Sequence, residues 1–472
     1  MDDRPELLVL GAGPAGVGAA VAASAAGVET VIVDRAQDAG GQVYRAPLNP
    51  ALTRRSEAGG RRLRQALGES AADVVFACNV WSVGRDFRVD AIDRNGARTW
   101  RPKSLVAAVG TTERVIPFPG WTLPGVYGLA ATTLMLKSQA MLPGEDTVVA
   151  GSGPLLAAVA HGIIAGGGRV AAVIDTARRG EWLRAAPALI WRPGDLWRGL
   201  EWLRVIIGAG VPVLFGHTVS RVRDTGNGLE VVAVPVDTAG CRRTGRPVRT
   251  IQADSLSVGN GLTPATELTR LLGATHVFDA TAGGWVPRLD AGQRTSVEGL
   301  YVAGDGTGIT GADAAFLEGK IAGYTAALDL CRIGVREYGR LTSAPLRRLR
   351  RVARAGRRMA GLMIPRPGQI AEIDPSTIVC RCEDVTRNEI DAAINDGACD
   401  LNQLKSWTRC GMGPCQGRTC GDVVAALVAA RRGGRETTGC WTPRIPLYAV
   451  NMHELVGDFD YVDISIPDAA PL

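Results

Sequence analysis

A chain of 472 residues has room for two to four domains and a large core. Its 46% hydrophobic content and 60 glycines suit a turn-rich α/β protein and exclude a disordered one, and a net charge of +6 is too mild over this length to argue for nucleic acid. The opening Met1-Asp2-Asp3-Arg4-Pro5-Glu6 is acidic and lacks the basic-then-apolar form of a secretory leader; no apolar run reaches the ~18 residues of a membrane helix. The expectation is a cytoplasmic chain whose ten cysteines are reduced or ligated to metal.

Leu7-Leu8-Val9-Leu10 is an apolar run of the buried parallel-strand type. It leads into Gly11-Ala12-Gly13-Pro14-Ala15-Gly16, an alanine-rich helix to about Ala26, and a second strand, Thr30–Val33, that ends at Asp34. Strand, glycines, helix, strand and acid in this order form a dinucleotide fingerprint. Gly11 makes the tight turn, Gly13 lets backbone N–H groups approach a pyrophosphate, Gly16 allows close helix packing, and Asp34 accepts from ribose hydroxyls. The pattern recurs at Thr147–Ala150, Gly151-Ser152-Gly153-Pro154-Leu155-Leu156, and Val170–Ile174 before Asp175. Here Leu156 replaces the third glycine, which reads as a structural unit that has lost nicotinamide binding. Asp175, Arg178 and Arg179 still leave an adenine nucleotide open.

Leu105-Val-Ala-Ala-Val-Gly110-Thr111 and Leu256-Ser-Val-Gly259-Asn-Gly261-Leu-Thr-Pro264 resemble the two crossings between nucleotide lobes in the glutathione and thioredoxin reductase superfamily. Thr295–Asp305 is similar to that superfamily's second flavin motif, and Gly40-Gly41-Gln42 to its loop beside the flavin. The fold class this implies is α/β, with two Rossmann-like lobes and a small helical domain after them. The cofactor it implies is FAD, on Gly11, Gly13, Pro14, Ala15, Gly16, Asp34, Arg35, Gly41, Gln42, Gly110, Gly304 and Asp305. One departure matters. Val43-Tyr44-Arg45 follow the glycine loop where disulfide reductases can carry a cysteine pair, and Cys241 of the second lobe has no near neighbour.

Between Glu181 and Leu203 lie Trp182, Trp191, Trp197 and Trp202 among leucines and arginines. This stretch predicts a helical hairpin on the second lobe, with a subunit contact as the competing reading, since aromatics and arginine enrich interfaces. Residues 341–375 form an arginine-rich connector. It reads either as a solvated helix docked by Leu, Val and Met or as a surface for an acidic partner subunit.

Six cysteines fall between Cys380 and Cys420. Such crowding in a long chain points to a metal or iron–sulfur site, and two-iron centres usually take four cysteines. The candidates are Cys380, Cys382, Cys399, Cys410, Cys415 and Cys420, with Cys399 expected as a small buried residue in a helical turn. A one-residue gap followed by a four-residue gap fits structural zinc poorly. Cys380-Arg-Cys382-Glu383 with Gly411-Met-Gly-Pro-Cys415-Gln-Gly-Arg-Thr-Cys420 resembles the domain named after bacterioferritin-associated ferredoxin. That resemblance implies a 2Fe–2S cluster on Cys380, Cys382, Cys415 and Cys420, with Cys410 the main rival for Cys415 or Cys420.

The whole order resembles the large subunit of multi-subunit, FAD-dependent amine and imino-acid dehydrogenases, among them hydrogen cyanide synthase, the opine oxidases and the proline and D-hydroxyproline dehydrogenases. Asp400 to Arg418 is the stretch most like them. The resemblance implies a smaller partner with its own FAD that oxidises a C–N bond, a third small subunit, and an FMN at the subunit interface. Electrons would leave for a quinone or a carrier protein, with any membrane association peripheral and through the complex. The domains expected are 1–115 and 251–340 for the FAD lobe, 116–250 for the inserted lobe, 341–375 for the connector, 376–440 for the 2Fe–2S domain and 441–472 for a tail. The alternative is a stand-alone NAD(P)H-dependent flavin and iron–sulfur reductase.

Overall fold

In the computed structural model, residues 3–48 and 58–455 are described. The first apolar run becomes β1 (Leu7–Leu10), all four residues buried. It is followed by α1 (Pro14–Ala25), β2 (Thr30–Val33), β3 (Asp73–Val75) and β4 (Ser104–Ala107). A short strand, β5 (Thr111–Glu113), then carries the chain into the second lobe.

That lobe contains β6 (Val126–Gly128), α2 (Leu129–Ser138), β7 (Asp146–Gly151), α3 (Leu155–Ala165) and β8 (Arg169–Asp175). Next come α4 (Arg179–Ala185), a 3₁₀ turn at Ala186–Trp191, α5 (Pro193–Gly208), β9 (Val213–Phe215) and β10 (Ser255–Gly259). Its five strands run parallel in the order β9-β8-β7-β10-β6. The lobe therefore extends to Gly259, past the expected boundary at 250, because β10 pairs with β7 at the sheet centre. The tryptophan-rich stretch is helical as the sequence predicts, but one side stays uncovered: Leu183, Ile190, Trp191, Trp197 and Ile207 are all exposed.

The return strand β11 (Leu262–Pro264) lies antiparallel to β5, so the lobes are joined by a two-strand neck. β12 (Leu300–Val302) then closes the first sheet in the order β12-β4-β1-β2-β3, again all parallel. Helix α6 (Ala312–Asp329) packs on α1 through small residues: a Cβ added at Gly319 or Gly323 would collide with the carbonyl oxygen of Ala15 or Ala19. Most of the arginine-rich connector is a docked helix, the first of its two readings. It belongs to α7 (Val335–Ala360), whose Val352, Ala353, Ala355 and Gly356 are buried.

The cysteine-rich domain begins with a hairpin of β13 (Ile378–Cys380) and β14 (Val385–Thr386), followed by α8 (Arg387–Asn395), α9 (Leu401–Thr408) and α10 (Gly421–Arg432). Thr386 starts α8 with a capping box to Glu389, and Asp400 caps α9 through the N–H groups of Asn402 and Gln403. The core beneath them is Val379, Ile390, Leu404, Val424 and Val428, and it also takes in Ile116 from just past the neck. The chain after Trp441 returns to the first lobe, where Leu447 N–H donates to Trp81 O at 2.7 Å.

Candidate functional site

The first fingerprint forms an open cradle. Gly11 sits at φ +101°, a left-handed conformation that only glycine adopts freely. A Cβ at Gly16 would collide with Gly11 O, so α1 starts tight against the loop. Pro14, Ala15 and Gly16 form the first turn of that helix. Asp34 braces the loop: Oδ2 accepts from Ala12 N–H at 2.6 Å and Oδ1 from Ala36 N–H at 2.7 Å. A Cβ at Gly41 would lie 3.0 Å from Gly13 Cα, which places the second glycine loop directly over the first. Gly11, Gly13 and Asp34 nevertheless keep part of their surface exposed.

Gly110 precedes the neck at φ +73°. Gln42 and Arg35 are exposed, and the Arg35 guanidinium lies 5.4 Å from the centre of the Tyr448 ring. Asp305 accepts from Thr310 and Gly311 N–H at 3.0 and 2.9 Å, just before α6. Burial pushes its carboxyl upward against those two hydrogen bonds.

Three residues here escaped the sequence reading. Glu318, buried in α6, accepts from Gly304 N–H at 2.9 Å. Burial, reinforced by the charge of Asp305, pushes it up to about 8. Its sequence signal is weak: a carboxylate set between Leu317 and Gly319 in a helix that also carries Asp313, Lys320 and Asp329. Arg192, from the second lobe, donates to Thr310 O and to Val352 O at 2.9 Å, fixing that lobe to the flavin motif and to α7. The Thr310 hydroxyl is buried with no partner among the described residues. An accessible cradle, an acid after β2 and an orphaned hydroxyl at the start of α6 together fit a bound FAD.

In the cysteine domain, the sulfurs of Cys380, Cys410 and Cys420 lie within 4.8 Å of one another, all buried. Hydrogen bonds from the Cys410 and Cys420 thiols, with the N–H groups of Gly411 and Glu383, hold Cys380 far below the usual thiol range. The proton shared with Cys380 pushes Cys410 and Cys420 the other way. Cys382 and Cys415 face each other beside this group and interact electrostatically with it. A Cβ at Gly413 would collide with Cys382 Cβ, so the glycine-rich loop lies on the hairpin. The four expected ligands and their rival Cys410 thus converge. A set of thiols around one favoured thiolate is soft-metal and iron–sulfur chemistry, and these residues fit such a group. Cys399 is a correction: it is exposed on the turn before α9, with Sγ 3.1 Å from Gly397 O, because its neighbour Ala398 takes the buried place.

A cavity of about 530 Å³ lies between this domain, the neck and the returning tail. Arg270, Lys405, Arg409, Arg418 and Arg435 line it. Beside it Arg114, 4% exposed, donates to Asp422 at 2.7 Å, to Gly283 O at 2.6 Å and to Met363 O at 3.3 Å. Asp422 also accepts from Arg435 at 2.6 Å.

At the second fingerprint Asp175 is buried. Its Oδ2 accepts from Trp182 Nε1 at 2.7 Å and its Oδ1 from Ala177 N–H at 2.9 Å. Burial pushes it up to about 6. Arg178 donates to Val236 O, and Arg179 stacks over Phe215.

Two parallel-sheet lobes joined by a two-strand neck, with a braced fingerprint in the first, define a two-lobed nucleotide-binding oxidoreductase. The chain belongs to the pyridine nucleotide-disulphide oxidoreductase family, whose model matches residues 5–329. Residues 374–458 match the sarcosine oxidase A3 domain.

An opine oxidase subunit from Rhizobium meliloti (strain 1021) is 34% identical over 464 residues, covering 95% of this chain and 98% of that one. Hydrogen cyanide synthase subunit HcnB of Pseudomonas aeruginosa is 35% identical over 460 residues, covering 95% and 97%. The alpha subunit of sarcosine oxidase from Corynebacterium sp. (strain P-1) is 26% identical over 478 residues, and only 45% of that longer chain is matched. The solved L-proline dehydrogenase from P. horikoshii shares the fold with a TM-score of 0.69 at 19% identity, over 97% of this chain and 81% of that one. The family implies FAD, as the open cradle does. Among the described residues no helix is long and apolar enough to cross a membrane.

Proposed function

We propose that this chain is the electron-transfer subunit of a multi-subunit flavoprotein dehydrogenase oxidising a C–N bond of an amino acid, imino acid or opine. One observation carries the reading: a flavin-type cradle and a convergent set of cysteine sulfurs belong to the same chain, clamped across the neck by Arg114 and Asp422. The relatives named as opine oxidase and hydrogen cyanide synthase subunits supply the class of complex. By that likeness a smaller partner with its own FAD oxidises the substrate, a third small subunit joins, and a quinone or carrier protein accepts the electrons. The working place is the cytoplasm.

FAD is held by Gly11, Gly13, Pro14, Ala15, Gly16, Asp34, Arg35, Gly41, Gln42, Gly110, Gly304 and Asp305, and a 2Fe–2S cluster by Cys380, Cys382, Cys415 and Cys420. When bound, these groups exchange electron pairs and single electrons respectively. The protein positions them: Glu318 and Thr310 shape the floor and edge of the cradle, and the N–H of Gly411 stabilises thiolate charge at Cys380. An FMN phosphate would find its counter-charges in the cavity lined by Arg270, Lys405 and Arg409. The exposed apolar side of α5, with Trp197 at its centre, suits the docking of a partner subunit.

Iron and flavin analysis, with paramagnetic resonance after dithionite, tests the assignment on anaerobically purified chain. Expected are one FAD and two irons per chain, with a signal on reduction. In the assembled complex Cys420→Ser should stop acceptor reduction while the partner's flavin still bleaches with substrate. Flavin-replete protein without iron would overturn the reading.

A further inference from the structure

The two fingerprints differ in what lies over them. Gly11 and Gly13 keep exposed surface, whereas Gly151, Ser152 and Gly153 are all buried. The cover is the chain's own connector. After α7 ends, the turn at Gly361–Met363 sets the Met363 side chain on the second loop: a Cβ at Gly153 would lie 3.1 Å from Met363 Sδ, and one at Gly261 would lie 2.7 Å from Met363 Cβ. Leu362 is buried against Ala177, Ala185 and Trp182, at the end of β8 where a nucleotide's adenosine half would extend. Arg366 continues the seal, donating to both carboxylate oxygens of Glu181 at 2.9 Å and to Thr238 O at 3.1 Å.

The acid and one of the two arginines that a dinucleotide would use are already engaged. The acid after β8 holds the Trp182 indole where the first lobe's Asp34 holds only backbone N–H groups. Arg178, one of the two cations open to a phosphate, is spent on Val236 O, and Arg179 lies over the Phe215 ring with its side chain exposed. Met363 is fixed through its carbonyl by Arg114.

We infer that the second Rossmann cleft takes the chain's own segment Leu362–Arg366 as its occupant in place of a dinucleotide. A nucleotide could enter only by uncovering two buried apolar side chains and breaking the Arg114 and Arg366 contacts, a cost that subtracts directly from its affinity. The second lobe then works as a socket that orients the connector and, through it, the cysteine domain. This disfavours the stand-alone NAD(P)H-dependent reductase, and it holds whether or not the electron route proposed above is correct.

The test uses FAD-loaded full chain carrying Met363→Cys, with thiol labelling followed peptide by peptide. Position 363 should label about 100-fold more slowly than the exposed Cys331 and Cys399, as expected of a site reached only by local opening. Millimolar NAD⁺, NADP⁺ or ATP should leave that rate unchanged. Labelling as fast as at Cys399, or acceleration by any of the three nucleotides, would overturn the inference. A second measurement uses the unsubstituted chain. Calorimetric titration with the same nucleotides should show no saturable binding that Asp175→Asn removes, and such binding would refute the socket.

Discussion

Asp422 is the carboxylate on which the cysteine domain's attachment turns. Its two oxygens accept from Arg114 at 2.7 Å and Arg435 at 2.6 Å; the three side chains are 18%, 4% and 17% exposed. Asp422→Asn keeps the shape and removes the charge, leaving two largely buried guanidiniums facing each other without a counter-ion. Breaking a buried pair from one side costs about 3–5 kcal/mol. With a urea slope of about 1–3 kcal/mol per molar, the docking transition should move down by roughly 1–5 M.

Cleavage of residues 364–376 by protease across a urea series is the assay, because a chain this long does not unfold in a single step. A pH arm adds a second check. Burial pushes the Asp422 carboxyl up, but Arg114 and Arg435 prevail and hold it below the ordinary value. Its contribution is therefore complete above about pH 4 and is lost as pH falls through the lowered value. Asp422→Asn should flatten that acid limb. An unchanged urea midpoint together with an unchanged acid limb would refute the clamp.

Gly16→Val places side-chain atoms against the Gly11 carbonyl and should yield protein with little or no FAD, read as flavin absorbance per chain. Single Cys→Ser changes at positions 380, 382, 415 and 420 should each remove the reduced paramagnetic signal. Cys410→Ser should retain it, and the reverse pattern would move the ligand set. Glu113, wedged between Gly128 and Gly259 and accepting from Ala130 N–H at 3.0 Å, is pushed up to about 7 by burial. Its protonated form favours the folded neck, so stability should fall as pH rises from about 4.5 through 7, and Glu113→Gln should abolish that slope in thermal melts.

What was legible in the sequence was local. The run from Leu7 to Asp34 forms its own strand, turn, helix and strand within a short span, so residue order alone specifies the cradle. The caps at Thr386 with Glu389 and at Asp400 are equally local, although they went unread in the sequence. The two crossings were recognisable because a glycine must follow each strand. What stayed hidden joins distant residues. Arg114 meets Asp422, Arg192 meets Thr310, and Met363 lies on Gly153, and no periodicity encodes such meetings. Leu156 was the one visible hint at the second lobe, and it proves to be core beside Ile163 and Ile206. The cysteines were legible as a group, but their depth was not: spacing favoured Cys415 over Cys410, yet Cys410 is the more deeply buried.

A neck of two short strands would by itself let the bodies it connects swivel. Here Arg192 bolts one lobe to the other, Met363 wedges the cleft beside them, and Arg114 ties the third body to both. The molecule is braced like a tripod. Its three bodies are thereby held in one arrangement by side chains that lie far apart in the sequence.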